Sequence, residues 1–220
     1  MAGREEDVVV VPTGRHGLPA NVVAEHQRER LLSATIAQVA KRGYRGTSVD
    51  HIVKTARVGY VAFYELFDGK EGCFLAALER IVEETRTELN GAVSPEALWP
   101  EQICSGLAKL VELVAADPAR ARVALVEAQA AGPSAYARYE EAIDMAIPAL
   151  RAGREFTAQT VNLSETLEEA IIGGIAWVFH QRLVQGESEA IGSLLGEAIQ
   201  ISLAPYLGEA EAQRIAGANS

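Results

Sequence analysis

The sequence predicts an all-helical protein: a three-helix helix-turn-helix head followed by a larger helical body. Three observations support this. Nearly half of the 220 residues (49%) are hydrophobic, and the helix-favouring types Ala, Leu, Glu and Arg are abundant. Apolar residues recur at i, i+3, i+4 and i+7, the spacing of one buried helix face, while the alternation of a half-buried strand is almost absent. The stretch Thr47–Glu71, TSVDHIVKTARVGYVAFYELFDGKE, spells two short helices joined by a tight turn, with a third following at once.

Taken in order, residues 1–22 carry Gly, Pro and mixed charge and read as a flexible arm, whose Arg15 and His16 are placed to reach a minor groove. The plainer alternative is an inert leader. A first helix is expected over Ala24–Arg42, with Leu32, Ile36, Val39 and Ala40 on one face. The second opens at Thr47 or Ser48, with Asp50 placed to return the capping bond, and runs through Val49, Ile52, Val53 and Ala56. Arg57, Val58 and Gly59 interrupt it. Gly59 can cap the next helix or take a turn conformation closed to bulkier residues. A third helix, Tyr60–Phe67, turns Phe63 and Phe67 inward and leaves Tyr60, Val61 and Tyr64 outward. Lys70 to about Asn90 forms a long fourth helix with Phe74, Ala77, Leu78, Ile81 and Val82 buried, connecting head (23–69) to body (70–220).

In the body, Ser94-Pro95 and Asp117-Pro118 read as helix starts and Gly132-Pro133 as a separator. Pro148 would kink the stretch Ile143–Leu150 and open space. Gly153 with Thr157–Asn162 forms a loop before a final hairpin, about Ser164–Gln185 and Ser188–Tyr206. One stripe of that hairpin is Leu167, Ile171, Gly174, Ile175 and Val178. The other is Ile191, Leu194, Leu195, Ala198 and Ile201, with Gly192 and Gly196 four apart leaving a shallow surface for a second helix. Two wide apolar faces exceed what one subunit can cover, so this hairpin is the expected dimer surface; the alternative is that it faces its own core.

Net charge is −10, which at first argues against nucleic acid, but it is unevenly spread. Val8–Lys70 holds nine cations against five anions, whereas the residues after Lys70 hold ten against twenty-two. A basic head on an acidic body is the electrostatic footprint of a protein that touches DNA at one end.

The head resembles that of the TetR family of bacterial one-component repressors. The residues carrying the resemblance are Gly43-Tyr44, Thr47-Ser48-Val49, Ile52, Phe63-Tyr64, Phe67 and Lys70-Glu71, all at the family's spacing. The preceding RHGLPANVVAEHQRERLL is similar to actinobacterial members. Two positions depart from the pattern: Arg57 stands where the family usually has Gly in the turn, and Gly59 where Ser usually caps the recognition helix. A left-handed backbone at position 57 would cost on the order of 1 kcal/mol, offset if the cation gains a phosphate.

The resemblance implies a cytoplasmic homodimeric repressor bound to a near-palindromic operator in double-stranded DNA and released by a small hydrophobic or amphipathic effector. Thr47 or Ser48, Tyr64 and Lys70 would hold phosphates, with Arg45 a flanking cation. Arg57, Gly59, Tyr60 and Val61 would sit at the groove, Val61 against thymine methyls and Arg57 as guanine reader. The last two helices would form the dimer bundle through Leu167, Ile171, Gly174, Val178, Gly192, Leu195 and Gly196. A pocket is expected from Trp99, Ile103, Tyr136, Tyr139, Met145, Trp177 and His180, although each alone reads equally as core.

Cys73 and Cys104 lie in apolar helical patterns without metal-ligand neighbours and read as buried thiols rather than a redox pair. No signal peptide is evident. The longest uncharged apolar run, Ala170–Phe179, is far short of the ~20 residues of a membrane span. No nucleophile elbow, phosphate loop, HExxH helix or paired-carboxylate signature appears, so no enzyme, cofactor or metal is expected. Two other readings remain: a helical small-molecule-binding protein with a non-functional DNA-binding head, and an all-helical enzyme using His180 with an acidic partner.

Overall fold

A computed structural model describes residues 20–157 and 162–219. The expected arm, with Arg15 and His16, therefore lies outside the described residues except at its end, where Ala20 already begins a helix. All regular structure among the described residues is helical.

The head comprises α1 (Ala20–Gly46), α2 (Val49–Ala56) and α3 (Tyr60–Leu66), and α4 (Lys70–Ala92) leads out of it. The α1 stripe predicted from sequence is sealed: Leu32, Ile36 and Val39 are buried against Ile52, Val53 and Ala56 of α2 and Phe63 of α3. Phe63 and Phe67, whose rings sit 5.8 Å apart, close the bottom of this core. Burying one such side chain fully contributes about 1.5–3 kcal/mol.

The apolar core does not break at Lys70. Phe74, Ala77, Leu78 and Ile81 of α4 belong to the same cluster, which continues into Val123, Ala128 and Ala135 of the body.

The body contains α5 (Trp99–Ala116), α6 (Pro118–Arg122), a π turn (Val123–Glu127), α7 (Ala128–Ala130), α8 (Pro133–Asp144) and α9 (Ile147–Arg151). A 3-10 segment (Ala152–Phe156), α10 (Leu167–Gln185), a second 3-10 segment (Ser188–Leu194), α11 (Leu195–Leu207) and α12 (Glu209–Asn219) complete it. Asp117-Pro118 starts a helix as predicted, the Asp117 carboxylate accepting from the Arg120 amide at 3.0 Å. Ser94-Pro95 does not. It makes a turn, and α5 begins at Trp99, where the Glu101 carboxylate accepts from the Leu98 amide at 3.1 Å.

Pro148 breaks rather than kinks its stretch: α8 ends at Asp144, and Pro148 sits in the first turn of α9, where its missing N–H costs nothing. Gly153 is not loop but the buried floor under Trp99, where an added Cβ would overlap the indole.

The final hairpin also differs from expectation. Ser188–Leu194 is 3-10 rather than α, so Gly192 and Gly196 do not share one continuous helix face. An additional helix, α12, folds back on α11 and buries Ala212 and Ala216 beside Leu203 and Tyr206. Ser188–Leu207 has the length and mean hydropathy (1.2) of a membrane span, but it divides into the 3-10 segment and α11, and Ile191, Leu194, Ile199 and Leu203 are buried in the subunit.

One buried ion cluster ties the end of the hairpin together. Glu168, fully buried, receives Arg154 through both oxygens at 2.7 and 2.8 Å and the Tyr206 hydroxyl at 2.9 Å. The Arg154 guanidinium, working against burial and helped by Tyr206, holds the Glu168 carboxyl down at about 2. Burial first, then the bond to Glu168, raises the Tyr206 phenol.

Candidate nucleic-acid interface

Near the end of α1 the helix kinks at Gly43, whose φ of 74° lies in the left-handed region where glycine is favoured. Thr47 then turns inward: it is 2% exposed and its hydroxyl donates to the Gly43 carbonyl at 2.9 Å. This decides between the two residues that the sequence leaves open. Of the Thr47/Ser48 pair only Ser48 is free to meet a phosphate, and the cap of α2 is Ser48. Its partner three residues on is His51, with reciprocal bonds of 3.3 Å.

Asp50, expected to return that bond, is instead drawn across the surface. It accepts from Lys54 at 2.8 Å and from the Tyr60 hydroxyl at 2.7 Å. Lys54, then Tyr60, hold the Asp50 carboxyl below the usual carboxylate range, and the same bond raises the Tyr60 phenol. With its proton committed to Asp50, Tyr60 can present only lone pairs to a base edge, which suits an exocyclic amine of adenine or cytosine.

The turn takes the strained option. Arg57 is the only non-glycine described residue at positive φ (52°, ψ 42°) and caps α2, its amide donating to the Lys54 carbonyl at 3.3 Å. Its own carbonyl accepts from Arg30 of α1 at 3.1 Å, which anchors the strained residue while its side chain stays exposed. Gly59 has an ordinary φ of −72° and serves as the cap of α3 without a side-chain bond. Its glycine identity is therefore not a conformational necessity.

The third helix then separates its faces as its pattern requires. Phe63 is buried, while Tyr60, Val61 and Tyr64 are 49%, 75% and 58% exposed, a contiguous outward patch. Tyr64 lies edge-on to Phe63 at 5.2 Å between ring centres, which steadies its ring. Arg45 and Ser48 are exposed as well. Lys70 is half-buried: its ammonium donates to the Tyr44 carbonyl at 2.9 Å and lies 4.1 Å from the Tyr44 ring centre, so it braces the α1–α2 corner.

The structure does not bring the expected pocket residues together. Trp99 and Ile103 join a core with Ile171, Ile199, Leu203 and Tyr206, whereas Tyr139 packs against the core shared with the head. Tyr136 and Met145 are 44% and 49% exposed, and Trp177 is 59% exposed. Helical spacing places such residues on faces, but which face is covered depends on elements far away in sequence.

His180 stacks on Trp177 at 5.5 Å and turns its Nδ1 to the Leu125 carbonyl at 2.9 Å. A carbonyl can only accept, so that bond requires the Nδ1–H tautomer; the same nitrogen also lies 3.3 Å from Gln129 Nε2.

Of the expected dimer residues, Ile171 is buried, Leu167, Leu195 and Gly196 are half-buried, and Gly174, Val178 and Gly192 are exposed. Ile171, Gly174, Val178, Phe179, Ala198 and Ile201 line an open depression of about 340 Å³ between α10 and α11. Val178 and Ile201 at its rim are 40% and 53% exposed.

The two thiols are buried in different cores. The Cys73 sulfur lies 3.1 Å from the Thr35 hydroxyl, and burial pushes its pKa up to about 11. Among the described residues no group of His, Cys, Asp or Glu is arranged to hold a metal.

Residues 31–77 match the family described as "Bacterial regulatory proteins, tetR family". An HTH-type transcriptional regulator encoded in the lacX 3' region of Lactococcus lactis subsp. lactis is 29% identical over 97 residues, covering 44% of this chain and 47% of that protein. The chain thus spans about half the length of this curated relative.

Among solved structures, the fatty acid degradation regulator FadR of Bacillus halodurans aligns with a TM-score of 0.66 at 19% identity, covering 80% of this chain and 94% of that one. FadR of Bacillus subtilis, solved in complex with stearoyl-CoA, aligns at 0.65 and 17%, covering 82% and 98%. At these identities the structural matches establish the fold.

Proposed function

We propose that this chain, whose residues 31–77 match the TetR family of bacterial regulatory proteins, is a ligand-responsive repressor acting as a homodimer on a near-palindromic operator in the cytoplasm. The observation that carries this reading is the third helix. Its Phe63 is sealed in the core while Tyr60, Val61 and Tyr64 form an exposed patch, a distribution that wastes apolar surface unless something covers it. Duplex DNA fits, since Val61 suits a thymine methyl, Tyr60 an exocyclic amine and the exposed Arg57 a guanine edge. Ser48, Tyr64 and Arg45 would contact phosphates, with Lys70 bracing the corner that presents them.

The exposed apolar rim of the α10–α11 depression is the surface we assign to the second subunit. Gly174 there lets a helix approach closely. Two heads in such a dimer would meet major grooves about 34 Å apart, one helical turn, or a multiple of it. The release signal would be a hydrophobic or amphipathic molecule. Support comes from the apolar body and from the structural relative solved with stearoyl-CoA.

Selection from a random duplex library tests the reading. It should enrich a near-palindrome, and Tyr64→Phe and Arg45→Ala should weaken specific and non-specific duplexes alike, Arg45→Ala lowering the salt slope by about one. A chain that enriches no sequence, or a Tyr64→Phe, Arg45→Ala double variant with unchanged affinity, would refute it.

A further inference from the structure

A relay of polar contacts joins the hairpin to the DNA-facing head. In the last turn of α10, the Leu183 carbonyl accepts from Arg122 Nη1 at 3.1 Å. The same guanidinium lies 3.5 Å through Nη2 from Oε1 of Glu127, the last residue of the π turn. The other Glu127 oxygen accepts from the Tyr44 amide at 2.8 Å, across 83 residues of chain.

Glu127 is 7% exposed, and its carboxylate lies so close to Gly43 that an added Cβ there would stand 3.3 Å from Oε2. The Tyr44 amide follows the kink at Gly43, where α1 departs locally from helical geometry, and Glu127 satisfies it. The Tyr44 carbonyl is held by Lys70. Both polar groups of the corner residue are therefore gripped from outside α1–α2, one from the start of α4 and one from the body.

The gripping residue sits on the one π turn among the described helices. A π turn frees a carbonyl from the regular ladder. Here the Leu125 carbonyl accepts from Gln129 Nε2 at 2.7 Å and from His180 of α10 at 2.9 Å. Helix α10 thus holds the π turn at Leu125 and the end of α6 at Arg122, and the π turn holds the head at Glu127.

We propose that Glu127 is a positioning residue for DNA binding: its carboxylate fixes the angle between head and body, and so the spacing of the two recognition helices. It touches no DNA. The proposal rests on the regulator reading for its consequence at the operator, but the fixed angle stands on the contacts alone.

Spin labels on Val61→Cys in α3 and Ala115→Cys in α5, within one labelled subunit diluted into unlabelled chain, read the head-to-body distance. Amide exchange at Tyr44 reads the bond itself. Glu127→Ala should broaden the distance distribution and speed Tyr44 exchange about tenfold or more, as loss of a hydrogen bond to a charged group implies. Glu127→Gln, whose amide oxygen can still accept from Tyr44, should stay near the parent in both. If Glu127→Ala does not fold, Gly43→Ala, which crowds Oε2 of Glu127 and strains the left-handed backbone at the kink, disturbs the same contact from the head side and should broaden the distances likewise.

On operators differing only in half-site spacing, Glu127→Ala should bind neighbouring spacings nearly as well as the preferred one. A residue of merely structural importance would weaken all spacings by one factor. Unchanged distances and exchange in Glu127→Ala, equal changes in the alanine and glutamine variants, or a parallel loss across spacings would overturn the proposal. A parent chain that binds no duplex would sink the regulator reading alone, since distance and exchange are measured without DNA.

Discussion

Acid should dismantle the hairpin end of the body through Glu168. Its carboxyl titrates at about 2 in the folded chain against an ordinary 4.5. A carboxylate with a depressed folded value stabilises the protein fully above its unfolded value, and that stability is lost as pH falls from about 5 toward 2. At about 1.36 kcal/mol per pH unit the gap corresponds to about 3 kcal/mol. Arg154, the main cause, is 32% exposed, so water screens part of the pairing and about 2 kcal/mol is the better expectation.

Glu168→Gln removes the titrating group and leaves the partly exposed Arg154 without its carboxylate, so it should lower stability at pH 7 by about 2 kcal/mol while flattening the pH dependence between 5 and 3. Urea midpoints measured at half-unit pH intervals read both effects. A Glu168→Gln variant whose stability falls with acid in parallel with the parent would refute the assignment, whatever its stability at pH 7.

Arg57→Gly should relieve the left-handed strain and raise head stability by about 1 kcal/mol, seen as a higher melting temperature. It should at the same time weaken operator binding by about 1–3 kcal/mol and relax specificity at the base pair it reads. Gly153→Ala, which forces a methyl into the Trp99 ring, should cost about 1–3 kcal/mol of overpacking in chemical denaturation. Cys73, with its raised pKa and full burial, should resist a thiol reagent at pH 8 in the folded chain and react at once in denaturant.

Most of the head was legible in sequence because its determinants are local. The stripe Ile52, Val53, Ala56 and the split of Phe63 and Phe67 from Tyr60, Val61 and Tyr64 follow from 3.6-residue periodicity, and the structure buries and exposes these residues accordingly. Asp117-Pro118 starts its helix for an equally local reason, a side chain bonding an amide three residues on.

Local pattern does not decide between two options open to one residue. Thr47 and Ser48 can each cap α2, and the choice falls to Ser48 because Thr47 is consumed by the Gly43 carbonyl. Asp50 can close a capping box or reach Tyr60, and the tight turn at Arg57 brings Tyr60 within reach.

Sequence by itself settled the helical class, the order of the head's elements and which of their faces are apolar, since each of these depends on neighbours within about two turns. Tertiary structure alone decided that Trp99 and Tyr139 serve separate cores, that the hairpin's second arm opens as 3-10, and that a twelfth helix folds back over α11. It alone paired Glu127 with an amide 83 positions earlier and Glu168 with Arg154 and Tyr206. An acidic side chain looks the same on a solvated helix face as in a buried pair, and only packing against a distant segment removes the water that distinguishes them.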